Sequence, residues 1–271
     1  MKPRPAAEED LLNLWETVGP SRIFRSQQDF FRFHREGEWR VIKDAFGGVV
    51  IVDNWREHLN ILAILGVWGG NAHFRGLVKA AYSTARAMGY AQILSPPVPK
   101  SLAKDYESLG MNVRETMLVI EFDADEAEQC ASELPSGILI RPAVAEDIPT
   151  ILRLDHRCFE PFWAYDIPKL VSALVGQRFM VGEEDGVIIG YTLSTLECGS
   201  GSIGRIAVEP ESRRKGVGSV LFRDAVSFLR RAGVDTVHLC TQAENAPSRA
   251  LYSRFRGVEM NGKLLLMVGP A

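Results

Sequence analysis

Three cations and two glycines stand together in Arg213-Arg214-Lys215-Gly216-Val217-Gly218-Ser219. A β-branched run, 202–208, leads into this segment, and an amphipathic stretch, 217–232, leads out. Glycines at 216 and 218 remove side chains where backbone N–H groups would meet a ligand, and a helix start adds partial positive charge. Together these features make an anion cradle suited to a phosphate or pyrophosphate. Further on, Asn245 and Tyr252 are seven residues apart, close to two helical turns, so both fall on one helix face. Asn245 reads either as a ligand contact or as a plain helix N-cap. Tyr252 reads either as a functional phenol or as a packed core residue.

The elements that must position these residues follow from periodicity and turn chemistry. Residues 138–141 read as a strand, 146–156 and 167–175 as helices, and 179–182 and 187–196 as strands joined by the hairpin signal Glu184-Asp185-Gly186. A strand at 203–208 precedes a helix at 217–232, which lines up Val217, Val220, Leu221, Ala225, Phe228 and Leu229 at helical spacing. A strand at 234–241, a helix at 246–255 and a final strand at 264–268 complete the half. The order predicts an α/β (α+β mixed sheet) fold with helices on both faces. Gly199 to Gly204 fits a dinucleotide-binding glycine pattern, but a strand follows it where that site requires a helix, so it reads as a turn.

Composition narrows the function classes. A formal charge of −3 over 271 residues argues against a general nucleic-acid binder, so the 213–215 cations are a local feature. The four cysteines are widely spaced without a C-x-x-C pair, and His156 and His238 lack metal spacing; no metal site is expected. The longest apolar run, 61–68, falls far short of the ~20 residues a spanning helix needs. The first residues are acidic, unlike a signal peptide. These features predict a soluble, cytoplasmic chain with reduced thiols and no membrane or nucleic-acid partner.

The chain also reads as written twice. Arg4-Pro5-Ala6 with Asp10 recurs as Arg141-Pro142-Ala143 with Asp147, 137 residues on. Gly48-Val49-Val50-Ile51 matches Gly186-Val187-Ile188-Ile189 at an offset of 138, and Gly89 matches Gly233 at 144. Tyr106 matches Tyr252 at 146, so the offset grows in steps, as a duplication with loop insertions would give. The acidic joint 124–136, read as a short helix and then a linker, separates expected domains at 1–125 and 137–271.

Arg213-x-x-Gly216-x-Gly218 between strand and helix resembles the acetyl-CoA motif of the GNAT superfamily of acyl-CoA-dependent N-acyltransferases. Asn245 to Tyr252 is similar to that family's second cofactor motif. The resemblance covers residues 137–271 and implies two tandem GNAT-like domains, of which the second transfers an acetyl group from acetyl-CoA to a primary amine. It implies that Arg213, Arg214, Lys215, Gly216, Val217, Gly218 and Ser219 hold the pyrophosphate, with amides from Val217 to Ser219 as donors, and that Asn245 contacts the donor. Ile206, Ala207 and Val208 would pair with the pantetheine arm like an added strand. An N–H near Val208 would polarise the thioester carbonyl, and Tyr252 would protonate the departing thiolate. The amine could belong to a small molecule or to a protein N-terminus.

Where the family places a basic glutamate, the stretch 202–206 has none; the nearest carboxylates are Glu197 and Glu209, and transfer through water is the other option. The resemblance implies that Phe162 and Trp163 line the acceptor pocket; by residue type alone they read as core aromatics. In the first copy, an offset of 144 places Ala72 and Phe74 at the glycines and Gly69 at Arg213, and sliding by a residue or two does not restore the motif. The first domain is therefore expected to be degenerate and non-catalytic, an intramolecular pseudo-dimer partner. The missing base leaves a second reading open, a non-catalytic acyl-CoA-binding regulatory module.

Overall fold

The computed structural model describes residues 2–21, 23–56, 59–130, 137–197 and 200–271, which divide into two compact units. Unit 1 comprises Met1–Thr116 and Gly262–Ala271, and unit 2 comprises Met117–Asn261. Unit 1 runs β1 (Arg4–Pro5), α1 (Leu11–Val18), α2 (Gln27–Arg35), β2 (Val41–Lys43), β3 (Val49–Asn54), β4 (Ile61–Trp68), α3 (Asn71–Ala87), β5 (Gln92–Leu94), β6 (Val98–Pro99) and α4 (Lys100–Glu107). The strand β7 (Asn112–Asp123) then carries the chain into unit 2, where its second half pairs antiparallel with a later strand.

Unit 2 continues with α5 (Ala124–Gln129), β8 (Leu139–Pro142), α6 (Ile148–Cys158), α7 (Ile167–Gly176), β9 (Arg178–Glu184), β10 (Val187–Glu197), β11 (Ser200–Val208), α8 (Val217–Arg231), β12 (Thr236–Gln242), α9 (Ala246–Arg254) and β13 (Val258–Glu259). Its strand order is β7-β12-β11-β10-β9-β8, mixed, with only β11 and β12 parallel. Asp185 and Gly186 both take left-handed φ, as the expected hairpin between β9 and β10 requires. The last strand, β14 (Leu264–Pro270), returns to unit 1 and pairs antiparallel with β5 and β6. This corrects the expected boundaries at 125 and 137: residues 117–123 complete the second sheet, and the final strand completes the first. The sequence reading located the last strand but not its partners, and read no strand at 112–123, because pairing is set by contacts distant in sequence.

Each sheet carries helices on both faces. In unit 2, α6 and α7 cover one face around Ile151, Leu154, Leu170 and Tyr191, while α8 and α9 cover the other around Phe222, Ala225, Leu229 and Phe255. In unit 1, α1 and α2 pack on Phe30, Val41 and Ile51, and α3 packs on Val50, Leu62 and Leu77. Both sheets begin with the same clasp. Arg4 pairs with Asp10 at 3.0 Å, and Asp10 accepts the Ala7 N–H at 2.9 Å. Arg141 pairs with Asp147 at 2.7 Å, and Asp147 accepts the Val144 N–H at 2.9 Å. The repeat read in the sequence is thus a repeat of local geometry. Among the described residues no helix is long and apolar enough to cross a membrane.

Candidate functional site

The candidate site begins at a divergence of two strands. β11 and β12 run parallel but pair only at Gly201–Val237 and Ser202–His238. Beyond Ser202 the strands part, beginning near a bulge in the β10–β11 ladder between Leu193 and Ser194. Glu209 donates its N–H to the Ile189 carbonyl at 2.9 Å. In an antiparallel ladder polar groups alternate sides, so Ala207 and Arg205 face β10, whereas Ile206 and Val208 face the gap. The expected trio therefore divides. Ile206 and Val208 offer backbone groups to a ligand, and Ala207 uses its own within the sheet.

Residues 209–216 connect this edge to α8. A short 3-10 turn, Pro210–Ser212, is followed by Arg214 at φ 65° and by Gly216, the cap of α8, at φ 86°. A left-handed cap is open to glycine at no steric cost, and it turns successive N–H groups to one side. Among the described residues the N–H groups of 214–218 have no acceptor. Ser219 differs, since its N–H already bonds the Gly216 carbonyl at 2.9 Å. The cradle is thus displaced toward Arg214 from the expected donors at 217–219.

Gly218 is where three elements converge. A Cβ at this position would lie 3.5 Å from Leu251 of α9 and 3.6 Å from Val208 of β11. The predicted cradle, strand edge and second motif are therefore brought together. Arg213 is drawn partly away from the cradle, because its Nε bonds the Val208 carbonyl at 3.1 Å. Cys158 donates to the same carbonyl at 3.2 Å, and burial pushes its thiol pKa up, so this sulfur is held as a neutral donor. Arg214 and Lys215 lie exposed beside the unpartnered N–H groups.

Asn245 caps α9, its side chain accepting the Ser248 N–H at 3.2 Å, while its Nδ2 reaches Gln242 at 3.4 Å. Tyr252 is 8% exposed and packs between Phe122 and Phe222, each ring centroid 6.0 Å away. Burial pushes its phenol up to about 12, with Ser248 opposing and Cys240 of β12 adding to the shift. It is both a core residue and a neutral hydrogen-bond donor near β12. Of the two carboxylates, Glu209 is ion-paired to Arg157, which also holds Glu211 at 2.5 Å. Glu197 ends β10, and its side chain lies outside the described residues, as do Cys198 and Gly199. Phe162 is buried and stacks edge-on against half-buried Trp163 at 5.2 Å.

Unread in the sequence was a buried polar cluster behind β11. Asp155 of α6 is fully buried and receives the Arg205 Nε at 2.7 Å, the Tyr191 hydroxyl and the Tyr165 N–H at 2.6 Å. The available signal was the alternation Ile203, Arg205, Ala207. A cation on the core face of a strand needs a buried acid, and Asp155 reads from its neighbours as helix surface.

Residues 148–258 match the acetyltransferase (GNAT) family. That stretch is a GNAT domain. The chain is 31% identical over 101 residues to a mycothiol acetyltransferase of Clavibacter michiganensis subsp. michiganensis, a match covering 37% of this chain and 30% of that protein. It is 27% identical over 126 residues to a putative [ribosomal protein bS18]-alanine N-acetyltransferase of Bacillus subtilis, covering 45% of this chain and 82% of that one. Matches to these relatives therefore span under half of this chain, and only 30% of the Clavibacter protein. Over almost the whole length, the fold is similar to a GCN5-related N-acetyltransferase from Sphaerobacter thermophilus, with TM-score 0.70, 16% identity and coverage of 99% and 95%. It is equally similar to a tandem GNAT protein from the clavulanic acid biosynthesis pathway, with TM-score 0.70, 15% identity and coverage of 99% and 98%. The tandem arrangement and the GNAT fold of the second copy agree with the sequence reading.

Proposed function

We propose that unit 2 transfers an acetyl group from acetyl-CoA to a primary amine, and that unit 1 performs no transfer. The observation carrying this reading is the left-handed Gly216 cap with five unpartnered N–H groups, set beside an open strand edge. These fit the two chemically different parts of the donor. The N–H groups of 214–218, with Arg214 and Lys215 alongside, suit the pyrophosphate. Ile206 and Val208 suit the amide-bearing arm, which would add to β11 like a strand.

In the reaction the amine nitrogen attacks the thioester carbonyl. The C–N bond forms, the C–S bond breaks, and a proton lost from nitrogen ends on the sulfur. The Val208 N–H faces the gap and would bond the carbonyl oxygen as charge develops there. Tyr252 changes role from the one its motif implies. A phenol at about 12 facing a thiol that ionises near ~8.5 keeps its proton at equilibrium, so it acts by donating a hydrogen bond to the leaving sulfur. Asn245 orders the start of α9 and through it places Tyr252.

The nucleophile needs a neutral amine, and Glu209 is engaged by Arg157. Loss of the ammonium proton to solvent favours an α-amine near ~8 over a lysine near ~10.4. Similarity to the Bacillus protein named a putative [ribosomal protein bS18]-alanine N-acetyltransferase supports the same class. The test is thiol release from acetyl-CoA by the full chain over a panel of polyamines, amino acids, lysine peptides and alanine-initiated peptides. Turnover with the α-amines is expected. Tight acetyl-CoA binding without turnover of any amine would instead select a non-catalytic acyl-CoA-binding module, the reading that the engaged Glu209 favours.

A further inference from the structure

The Arg205 cluster is expensive for a core. Burying a guanidinium and a carboxylate costs several kcal/mol per ion before pairing returns it, and an apolar filling is often as stable. Unit 1 supplies that apolar filling in the same fold. Its β3–β4 ladder carries the corresponding bulge, with Ile51–Gly66 before it and Val52–Ile64 after, where unit 2 has Leu193–Arg205 and Ser194–Ile203. Gly66 thus stands where Arg205 does, and the Trp68 indole folds over it into the space a Cβ would take. The architecture does not require the ion pair.

What the cluster holds is the segment after α6. Arg205 bonds the Trp163 carbonyl at 3.0 Å, and Asp155 bonds the Tyr165 N–H at 2.6 Å. The guanidinium lies between two rings, 3.6 Å from the Phe159 centroid and 3.8 Å from that of Tyr165. At its start the segment is tied to β11 again, through Cys158 and the Val208 carbonyl. Residues 158–165 are therefore fastened along the strand stretch whose edge would hold the acyl arm. Any amine reaching the thioester from the α6 side meets them.

We propose that Arg205 is a positioning residue for the acceptor: with Asp155 and Tyr191 it fixes residues 159–165 in the shape that receives the amine. This rests on the acetyl-transfer reading above. Donor binding lies on the strand's edge and at the α8 cap, neither of which the Arg205 side chain contacts, so the effect falls on the acceptor alone.

The test compares Arg205→Lys with wild type, using the best amine of the panel. Lysine keeps the charge beside Asp155 but loses the fork that also reaches Trp163. The expected result is an acceptor KM raised about tenfold or more, kcat changed far less, and acetyl-CoA affinity unchanged. Tyr191→Phe, which removes one of the Asp155 bonds, raises KM less. Amide exchange in full-length Arg205→Lys quickens at 159–165 and stays unchanged along α8. Ile148→Val, in the same core but at the opposite end of α6 from Asp155, controls for general loosening and leaves KM unchanged. An unaltered KM in folded Arg205→Lys, or a KM rise matched in Ile148→Val, overturns the proposal. Wild-type protein that binds acetyl-CoA yet acetylates no amine sinks the transfer reading and this inference together. Wild-type turnover with an unaltered variant sinks the inference alone.

Discussion

Units 1 and 2 start from the same clasp, Arg4–Asp10 and Arg141–Asp147, and build the same parting of strands. In unit 1, β4 and β5 pair only over 61–63 with 92–94, much as β11 and β12 do. The tyrosine persists as well, since Tyr106 is 1% exposed and burial raises its phenol as it does that of Tyr252. The units differ in what joins strand to helix. Eight residues, 209–216, link β11 to α8, whereas Gly69 and Gly70 alone link β4 to α3. Gly70 caps α3 at φ −69°, an extended geometry, where Gly216 is left-handed. Without that loop the framework offers only the ordinary first turn of α3, with no left-handed cap and no accompanying cations. On the account proposed above, the anion site depends on the connection rather than on the sheet or the helix.

The helix caps also correct the alignment of the two copies. Matching Gly70 to Gly216 gives an offset of 146 along the helix, the same as for the tyrosines. Ala72 then stands where Gly218 does, and Arg213 falls in the loop that has no counterpart in the first copy. Phe74 falls opposite Val220, and its ring packs edge-on against Tyr106 at 5.0 Å, filling the space beneath the first turn of α3. The small residues are thus partly retained in the first copy, and a missing loop rather than an intruding phenylalanine distinguishes it.

The largest expected effect separates the two tyrosines. Tyr252→Phe removes the hydrogen bond to the leaving sulfur and lowers kcat about 100-fold, with acetyl-CoA affinity unchanged by calorimetry. Tyr106→Phe, in the same place in unit 1, leaves kcat unchanged in the same assay. Equal losses in both would erase the distinction. Next come the caps. Gly216→Val forces a branched side chain into a left-handed position, a cost of about 1–2 kcal/mol, and brings it to the unpartnered N–H groups. Acetyl-CoA affinity falls about tenfold or more, whereas Gly70→Ala, at an extended φ, leaves it untouched.

The smallest effect concerns the shared clasp. Arg141 holds the Asp147 carboxyl below its usual value, and Asp10 lies at about 2, where Lys43, the Ala7 N–H and Arg4 outweigh partial burial. Both carboxyls are depressed in the folded state. The stability they contribute is complete above the unfolded value of 3.8 and is lost as pH falls through the folded one. Asp10→Asn and Asp147→Asn each lower the denaturation midpoint at pH 7, and each difference from wild type shrinks below pH 4. A difference that persists at pH 2 would assign the effect to packing instead.

The unit 2 elements and the cradle were legible because they rest on local signals: the Asp185-Gly186 turn, the helical spacing of Leu221 to Leu229, and glycines framed by strand and helix. The strand β7 was not read at all, and the partners of β14 were not legible, since a strand's periodicity is the same whichever sheet it joins. Arg205 was hidden for a related reason. Its acid lies 50 residues away on α6, and Asp155 sits beside exposed His156 and Arg157. The engagement of Arg213 by the Val208 carbonyl belongs to the same class, because a charge run gives no sign of which cation turns inward.

Titration of acetyl-CoA into the full chain by calorimetry tests the contrast most directly. One site per chain is predicted, present in wild type and in Gly70→Ala and weakened about tenfold or more in Gly216→Val. Two sites per chain, or one site indifferent to Gly216→Val, would contradict it.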